Sequence, residues 1–180
     1  MPRSILLAAA FAIITVPAHA QHDHAALAPG RSPYTGLVQR EIKALSDTQV
    51  AQYRSGEGMG FALAAELNHY PGPRHALELA DSLRLTAEQR AAIAAVRDRM
   101  STEARRLGET IIERERGLDR AFADESIRED ALRSLTAEIA RLNGELRFVH
   151  LRAHLAVRAA LSPEQVRRYD RLRGYGEAAH

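Results

Sequence analysis

Two long stretches of this chain carry apolar residues at alternating spacings of three and four. Ile93, Val96, Met100, Ala104, Leu107, Ile111, Leu118 and Phe122 mark the first, interrupted once near Arg114 or Glu115. Leu132, Leu135, Ile139, Leu142, Leu146, Val149 and Ala153 mark the second without a break. Such spacing keeps one apolar stripe along one face of an α-helix. The pattern predicts one helix from Thr86 to about Ala123 and another starting at Ser126. With a joint of about two or three residues between them, the two stripes should close on each other as an antiparallel hairpin with coiled-coil-like packing. At about 1.5 Å rise per residue, each arm is on the order of 50 Å long.

The ends of these helices are marked by a recurring motif. LTAEQ at 85–89 and LSPEQ at 161–165 flank the hairpin, and LSDTQ at 45–49 repeats the pattern of leucine, cap, two residues and glutamine. Each has the spacing of a capping box: the hydroxyl accepts from a first-turn N–H, and the Gln side chain reaches back to the cap N–H. Leu161 with Val166, and Leu45 with Val50, are placed as hydrophobic staples, whereas Arg90 leaves the first motif without one. Ser126 with Glu129 predicts a further capping box. The similar 135–138 stretch lies mid-stripe, lacks the Gln and is read as chance.

Shorter helices are predicted over 32–44, from the Ser46 cap to Gly56, over 61–68 and over 73–83. Gly56, Gly58 and Gly60 form a loose joint, and Pro71-Gly72-Pro73 a break. A last helix begins at Ser162-Pro163 and stops at Gly174. The expected fold class is all-α: a long antiparallel helical hairpin with shorter flanking helices, pairing as a dimer of hairpins.

At 180 residues the chain suits one domain. Its start is read separately. Arg3, an apolar run over 5–16 and the small-x-small site Ala18-His19-Ala20 read as a secretory signal peptide over 1–20, cleaved after Ala20. The run is short for a membrane anchor. The expected organisation continues with a His-containing tail over 21–31, N-terminal helices over 32–84, the hairpin domain over 85–175 and a tail over 176–180. The chain contains no cysteine, which leaves neither a disulfide scaffold nor a thiolate site. Its net charge is only +2, with acids and bases interleaved and Lys43 the only lysine. Export and this near-balance argue against a nucleic-acid partner.

The chain shows no nucleophile–base pattern, no Gly-rich phosphate loop and no HExxH motif, so an enzyme is not expected. The informative residues are histidines. His150 and His154 lie four apart on one helix and leave the same face, a workable start for a metal site. Pairing outward from a turn near Glu125 sets His150 level with Met100 and His154 level with Val96. The helix before Leu85 must fold back, bringing His75 and Glu78 to the same neighbourhood. The predicted metal ligands are therefore His150, His154, His75, Glu78 and Met100, with His69 near. Imidazole, carboxylate and thioether together suit zinc, nickel, cobalt or copper as the divalent ion. The plainer alternative makes the histidines interface residues and Met100 core. His22 and His24 could chelate loosely in the tail.

Two LTxxQ-type motifs around a hairpin behind a signal peptide resemble the periplasmic LTxxQ group over residues 75–175. That group includes Spy/CpxP-like chaperones and stress modulators and CnrX/ZraP-like heavy-metal sensor and resistance proteins. The resemblance implies an all-α, non-enzymatic protein, often a homodimer forming a curved cradle. In the metal-sensing branch it implies ligands from a His-x-x-x-His or His-x-x-x-Met pair before the second motif and from the helix before the first. His150 and His154 match the former; His75 and Glu78 fall in the latter place, with His-x-x-Glu in place of His-x-x-x-His. In the chaperone branch an arginine-rich face, here Arg90, Arg97, Arg105 and Arg106, would hold unfolded periplasmic clients, and a membrane sensor is a further partner.

Overall fold

The computed structural model describes residues 32–175. The chain divides into a unit ending at Gly36 and a second unit from Leu37 onward. Of the first, only 32–36 are described: Ser32 Oγ accepts from the Tyr34 N–H at 3.2 Å, and a single 3-10 turn, Thr35–Leu37, begins there. The signal-peptide and tail-histidine readings lie outside the described residues.

The second unit contains six helices: α1 (Asp47–Ser55), α2 (Leu63–Glu66), α3 (Pro73–Glu78), α4 (Ala87–Ala123), α5 (Glu129–Ala160) and α6 (Pro163–Arg173). No strand occurs among the described residues. The all-α expectation and the long hairpin of α4 and α5 both hold. α1 packs on α4, α2 on α5, and α3 across both arms.

All three leucine-cap-x-x-Gln motifs form complete capping boxes, at Ser46, Thr86 and Ser162. The preceding leucines, Leu45, Leu85 and Leu161, are buried. Gly56 (φ 71°) and Gly174 (φ 74°) end α1 and α6 in the left-handed conformation that glycine adopts without strain. The two hairpin motifs also meet each other. Gln89 Nε2 donates to Gln165 Oε1 at 2.9 Å and Gln165 Nε2 donates to Gln89 Oε1 at 3.0 Å. Gln89 further donates to the Ala160 carbonyl at 2.9 Å and Gln165 to the Leu83 carbonyl at 3.3 Å. Each glutamine thus caps its own helix with its oxygen and ties the other motif with its nitrogen.

Four elements differ from expectation. The helix predicted over 32–44 does not form; after the 3-10 turn the chain runs through turns and bends. A dozen residues with Gly36 inside make a marginal helix. The segment is instead fixed by buried Ile42 and Leu45, by Glu41 on Arg116 (2.7 Å) and by Lys43, whose backbone N–H and ammonium both donate to Asp119. The helices predicted over 61–68 and 73–83 shrink to the single turns of α2 and α3. The start of α5 is also different. Glu125 takes φ +52°, and the N–H and Oγ of Ser126 both go back to the Ala121 carbonyl. Ser126 therefore closes α4, and Arg128 is the N-cap of α5, with no side-chain capping hydrogen bond.

Two apolar clusters fill the interior. One gathers Ile42, Leu45 and Tyr53 with Leu107, Ile111, Ile112, Leu142, Leu146 and Val149. The other joins Ala76, Leu83, Leu85, Ile93, Val157, Leu161, Val166 and Tyr169 at the motif end. Beyond them Leu118, Leu132, Leu135 and Ile139 are only half buried, because there the two arms have only each other to cover them. Gly108 permits the closest approach. A Cβ there would stand 2.2 Å from the Tyr53 carbonyl oxygen, so only a glycine lets α1 lie on α4.

Candidate metal centre

The short helices set one cleft of about 440 Å³ against the hairpin. Met59, Glu66, His75, Met100, His150 and His154 all contribute to its lining. The Pro71-Gly72-Pro73 break places α3 by using Gly72 as N-cap and Pro73 as the first helical residue. Gly72 also lies flat on the site: a Cβ there would meet His154 Cε1 at 3.0 Å and Nε2 at 3.1 Å.

His150 and His154 are both buried. Burial, and then the neighbouring His154, hold the His150 pKa below the ordinary imidazole value, which keeps it neutral at neutral pH. Phe61 stacks on it, with ring centroids 6.2 Å apart and planes at 27°. His150 Nε2 is buried and has no hydrogen-bond partner. His154 Nδ1 lies 2.8 Å from the Tyr70 carbonyl oxygen. A carbonyl only accepts, so Nδ1 carries a proton, and Nε2 is the nitrogen left to offer a lone pair to a ligand. A backbone carbonyl fixing one ring nitrogen so that the other can ligate is a common support for metal-binding histidines.

Of the ligands expected from sequence, His75, Met100, His150 and His154 come to this cleft, and Glu78 does not. Glu78 is exposed and accepts from Arg74 Nε at 2.9 Å, one turn earlier on α3. That hydrogen bond holds its carboxyl below the usual range. The carboxylate in the cleft is Glu66. Its Oε1 accepts from the hydroxyls of Tyr169 at 2.5 Å and Tyr175 at 3.2 Å. Its Oε2 accepts from the Gly72 N–H at 3.1 Å. His75 Nδ1 and His154 Nδ1 stand 3.5 and 3.6 Å from it, and Arg173 Nε 3.8 Å. Burial and Glu66 raise the Tyr169 pKa, so that hydroxyl stays a donor. Glu66 had one sequence signal: it is the only acid in an apolar run, FALAAEL, just before the proline break. Met59, between two glycines, had none.

His69 turns elsewhere, its Nδ1 2.9 Å from Asp170 Oδ2. Among the described residues, no three His, Cys, Asp or Glu side chains are grouped as a ready cation cage. Glu66 is committed to tyrosine and backbone donors, and the thioethers of Met59 and Met100 make up the lining. The four candidate client-binding arginines are spread out. Arg90 pairs with Asp81. Arg97 pairs with Asp98 at 2.8 Å and borders the histidine cleft. Arg105 donates to the Ser101 carbonyl at 3.2 Å. Arg106 lines a separate shallow groove with Arg99, Glu103 and Arg152.

No described helix is long and apolar enough to cross a membrane. Comparison with curated proteins and with solved structures gives no match. The model of the LTXXQ motif family matches residues 73–173, more than half of the chain. That span begins at α3 and ends with α6, and so contains both motifs, the glutamine pair and three of the cleft histidines. This family is non-enzymatic, of Spy/CpxP type and typically periplasmic. The chain belongs to the LTXXQ motif family.

Proposed function

We propose that this chain is a periplasmic, non-enzymatic metal-binding protein serving heavy-metal sensing or resistance, and that it takes a transition-metal ion at His150 and His154. The observation that carries the reading is the buried, unpartnered His150 Nε2 in a cleft that also holds the Nε2 of His154. A buried polar atom without a partner is costly, and a ligated ion relieves it. His75 and Met100 line the same cleft and are further candidate donors. Export rests on the apolar run over 5–16, the Ala18-His19-Ala20 site and the family's usual compartment.

Calorimetric titration of residues 21–180, and of a shorter chain from Pro33, tests the reading with zinc, nickel, cobalt and copper. Saturable binding that survives loss of the tail and disappears in the His150→Ala/His154→Ala variant is expected, with helical circular dichroism unchanged. Binding retained in that double variant would overturn the assignment.

One observation favours a second reading, a holding chaperone for unfolded clients. Phe148 and Leu155, seven residues apart on α5, are both more than half exposed, and the Arg152 guanidinium lies 5.3 Å over the Phe148 ring. An apolar stripe edged by arginine suits an unfolded segment or a second copy of the chain. Suppression of client aggregation without metal, lost on Phe148→Ser/Leu155→Ser, is the corresponding test. No suppression at several-fold molar excess would exclude it.

A further inference from the structure

Resting on the metal-binding reading, we propose that the cleft selects a soft monovalent ion, cuprous copper, held by His150, His154, Met100 and Met59 with Glu66 as a nearby counter-charge. This departs from the divalent ion expected from sequence, and two features of the cleft carry it.

The first is the chemistry of the donors that remain free. The oxygens of Glu66 already accept from Tyr169, Tyr175 and Gly72. Beside it the cleft offers imidazole from His75, His150 and His154 and thioether from Met100 and Met59, with the hydroxyls of Ser55 and Ser101 the only neutral oxygen side chains on its lining. Thioether ligands favour cuprous copper, whereas carboxylate and water favour harder cations. Charge points the same way. The cost of desolvating an ion grows as the square of its charge, so a divalent ion among neutral donors costs about four times as much as a monovalent one. Glu66 is the buried carboxylate beside the donors, and Arg74, Arg97 and Arg173 already bring positive charge to it and to the cleft, which disfavours a divalent ion further.

The second is the backbone of Met59. It has φ +43° between Gly58 and Gly60, the latter at φ +78°. An L-residue is strained in this region, whereas glycine is not. Its side chain is half buried against the core cluster and lines the same cleft as Met100. His69, Arg84 and Glu125 share a positive φ, but Met59 is the one of the four that lines the cleft, where such strain is associated with function.

The test titrates the protein from Pro33 anaerobically with cuprous copper against a chromophoric cuprous chelator, and separately with zinc and nickel. X-ray absorption at the copper edge reads the ligands directly. Cuprous copper is expected to bind about 100-fold or more tightly than zinc, with sulfur scatterers in its shell. Met59→Leu/Met100→Leu, nearly volume-conserving and so tolerated by the fold, should weaken cuprous binding by about tenfold or more and remove the sulfur signal. Zinc affinity in that variant should stay near wild type. Zinc or nickel binding as tight as copper, or a copper shell without sulfur, would overturn the inference and leave the histidine site standing. Binding of no ion at all would overturn both.

Discussion

Replacing Gly108 by alanine should push α1 off the hairpin. The added Cβ would sit 2.2 Å from the Tyr53 carbonyl oxygen and 2.7 Å from its carbon. Both are main-chain atoms, so no rotamer change relieves the clash, and the helices must part by about 1 Å to restore ordinary contact. Tyr53 is badly placed to follow. Its ring is buried in the core, its hydroxyl donates to Asn143 Oδ1 at 3.0 Å, and its carbonyl accepts from the Gly56 N–H at 3.2 Å. Overpacking of this kind costs about 1–3 kcal/mol, and a weakened Tyr53–Asn143 bond about 1 kcal/mol more. Against this, alanine is favoured over glycine in a helix by about 1 kcal/mol. The net loss is about 2 kcal/mol, roughly a 4–8 °C fall in Tm for a chain of this size. Gly117 and Gly144 are internal controls, since a Cβ at either meets nothing within 4 Å. Gly117→Ala and Gly144→Ala should each raise stability by about 0.5–1 kcal/mol. Urea unfolding followed by circular dichroism measures all three. If Gly108→Ala proved as stable as the two controls, the close crossing of α1 and α4 would be refuted.

Three further outcomes are expected. In a double-mutant cycle, Gln89→Ala and Gln165→Ala should couple by about 1 kcal/mol, reflecting their mutual bonds; additive effects would contradict the pairing. Stability should be full above about pH 6.5 and decline as pH falls toward the depressed pKa of folded His150, because the unfolded chain takes up that proton first. His150→Gln should flatten that slope, and an unchanged profile would count against a buried neutral imidazole. Glu66→Ala should destabilise by about 3 kcal/mol by stranding the Tyr169 hydroxyl and the Gly72 N–H, whereas Glu78→Ala, on the surface, should leave unfolding unchanged.

The parts of this structure legible in sequence are those whose physics is local. A cap and a glutamine three residues on need only one turn of helix, so Ser46, Thr86 and Ser162 could be placed without tertiary information. The three-four stripes gave the arms, and counting outward from the turn brought Met100, His150 and His154 to one cleft. Ser126 shows the limit of local signals: its hydroxyl had two possible helices to serve, and the left-handed Glu125 gave it to α4. The carboxylate was missed for the opposite reason. Glu78 and Glu66 look alike in sequence, but Glu78 has Arg74 one turn away, whereas the partners of Glu66, Tyr169 and Tyr175, lie about a hundred residues on. Nothing periodic reports such a pairing. Segments 32–44, 61–68 and 73–83 carry the caps and apolar spacing of longer helices, but only short helical pieces form: a 3-10 turn at 35–37 and the brief α2 and α3.

The reciprocal bonds of Gln89 and Gln165 clamp the end of the hairpin remote from its covalent turn. There Gln89 ties α4 to the Ala160 end of α5 and to α6, Gln165 ties α6 to Leu83 just before α4, and the cluster around Tyr169 fills the same end. At the turn end the arms are joined by residues 124–128 and a half-covered seam. The hairpin is then built like a pair of tweezers with its rivet at the glutamine end and its tips at the loop. Amide exchange should be slowest around Ile93 and Val157 and fastest beyond Leu118 and Leu135. An ion at the proposed site would meet α3 through His75, α4 through Met100 and α5 through His150 and His154, so its arrival would act on the angle between the arms, and that change would be largest at the tips.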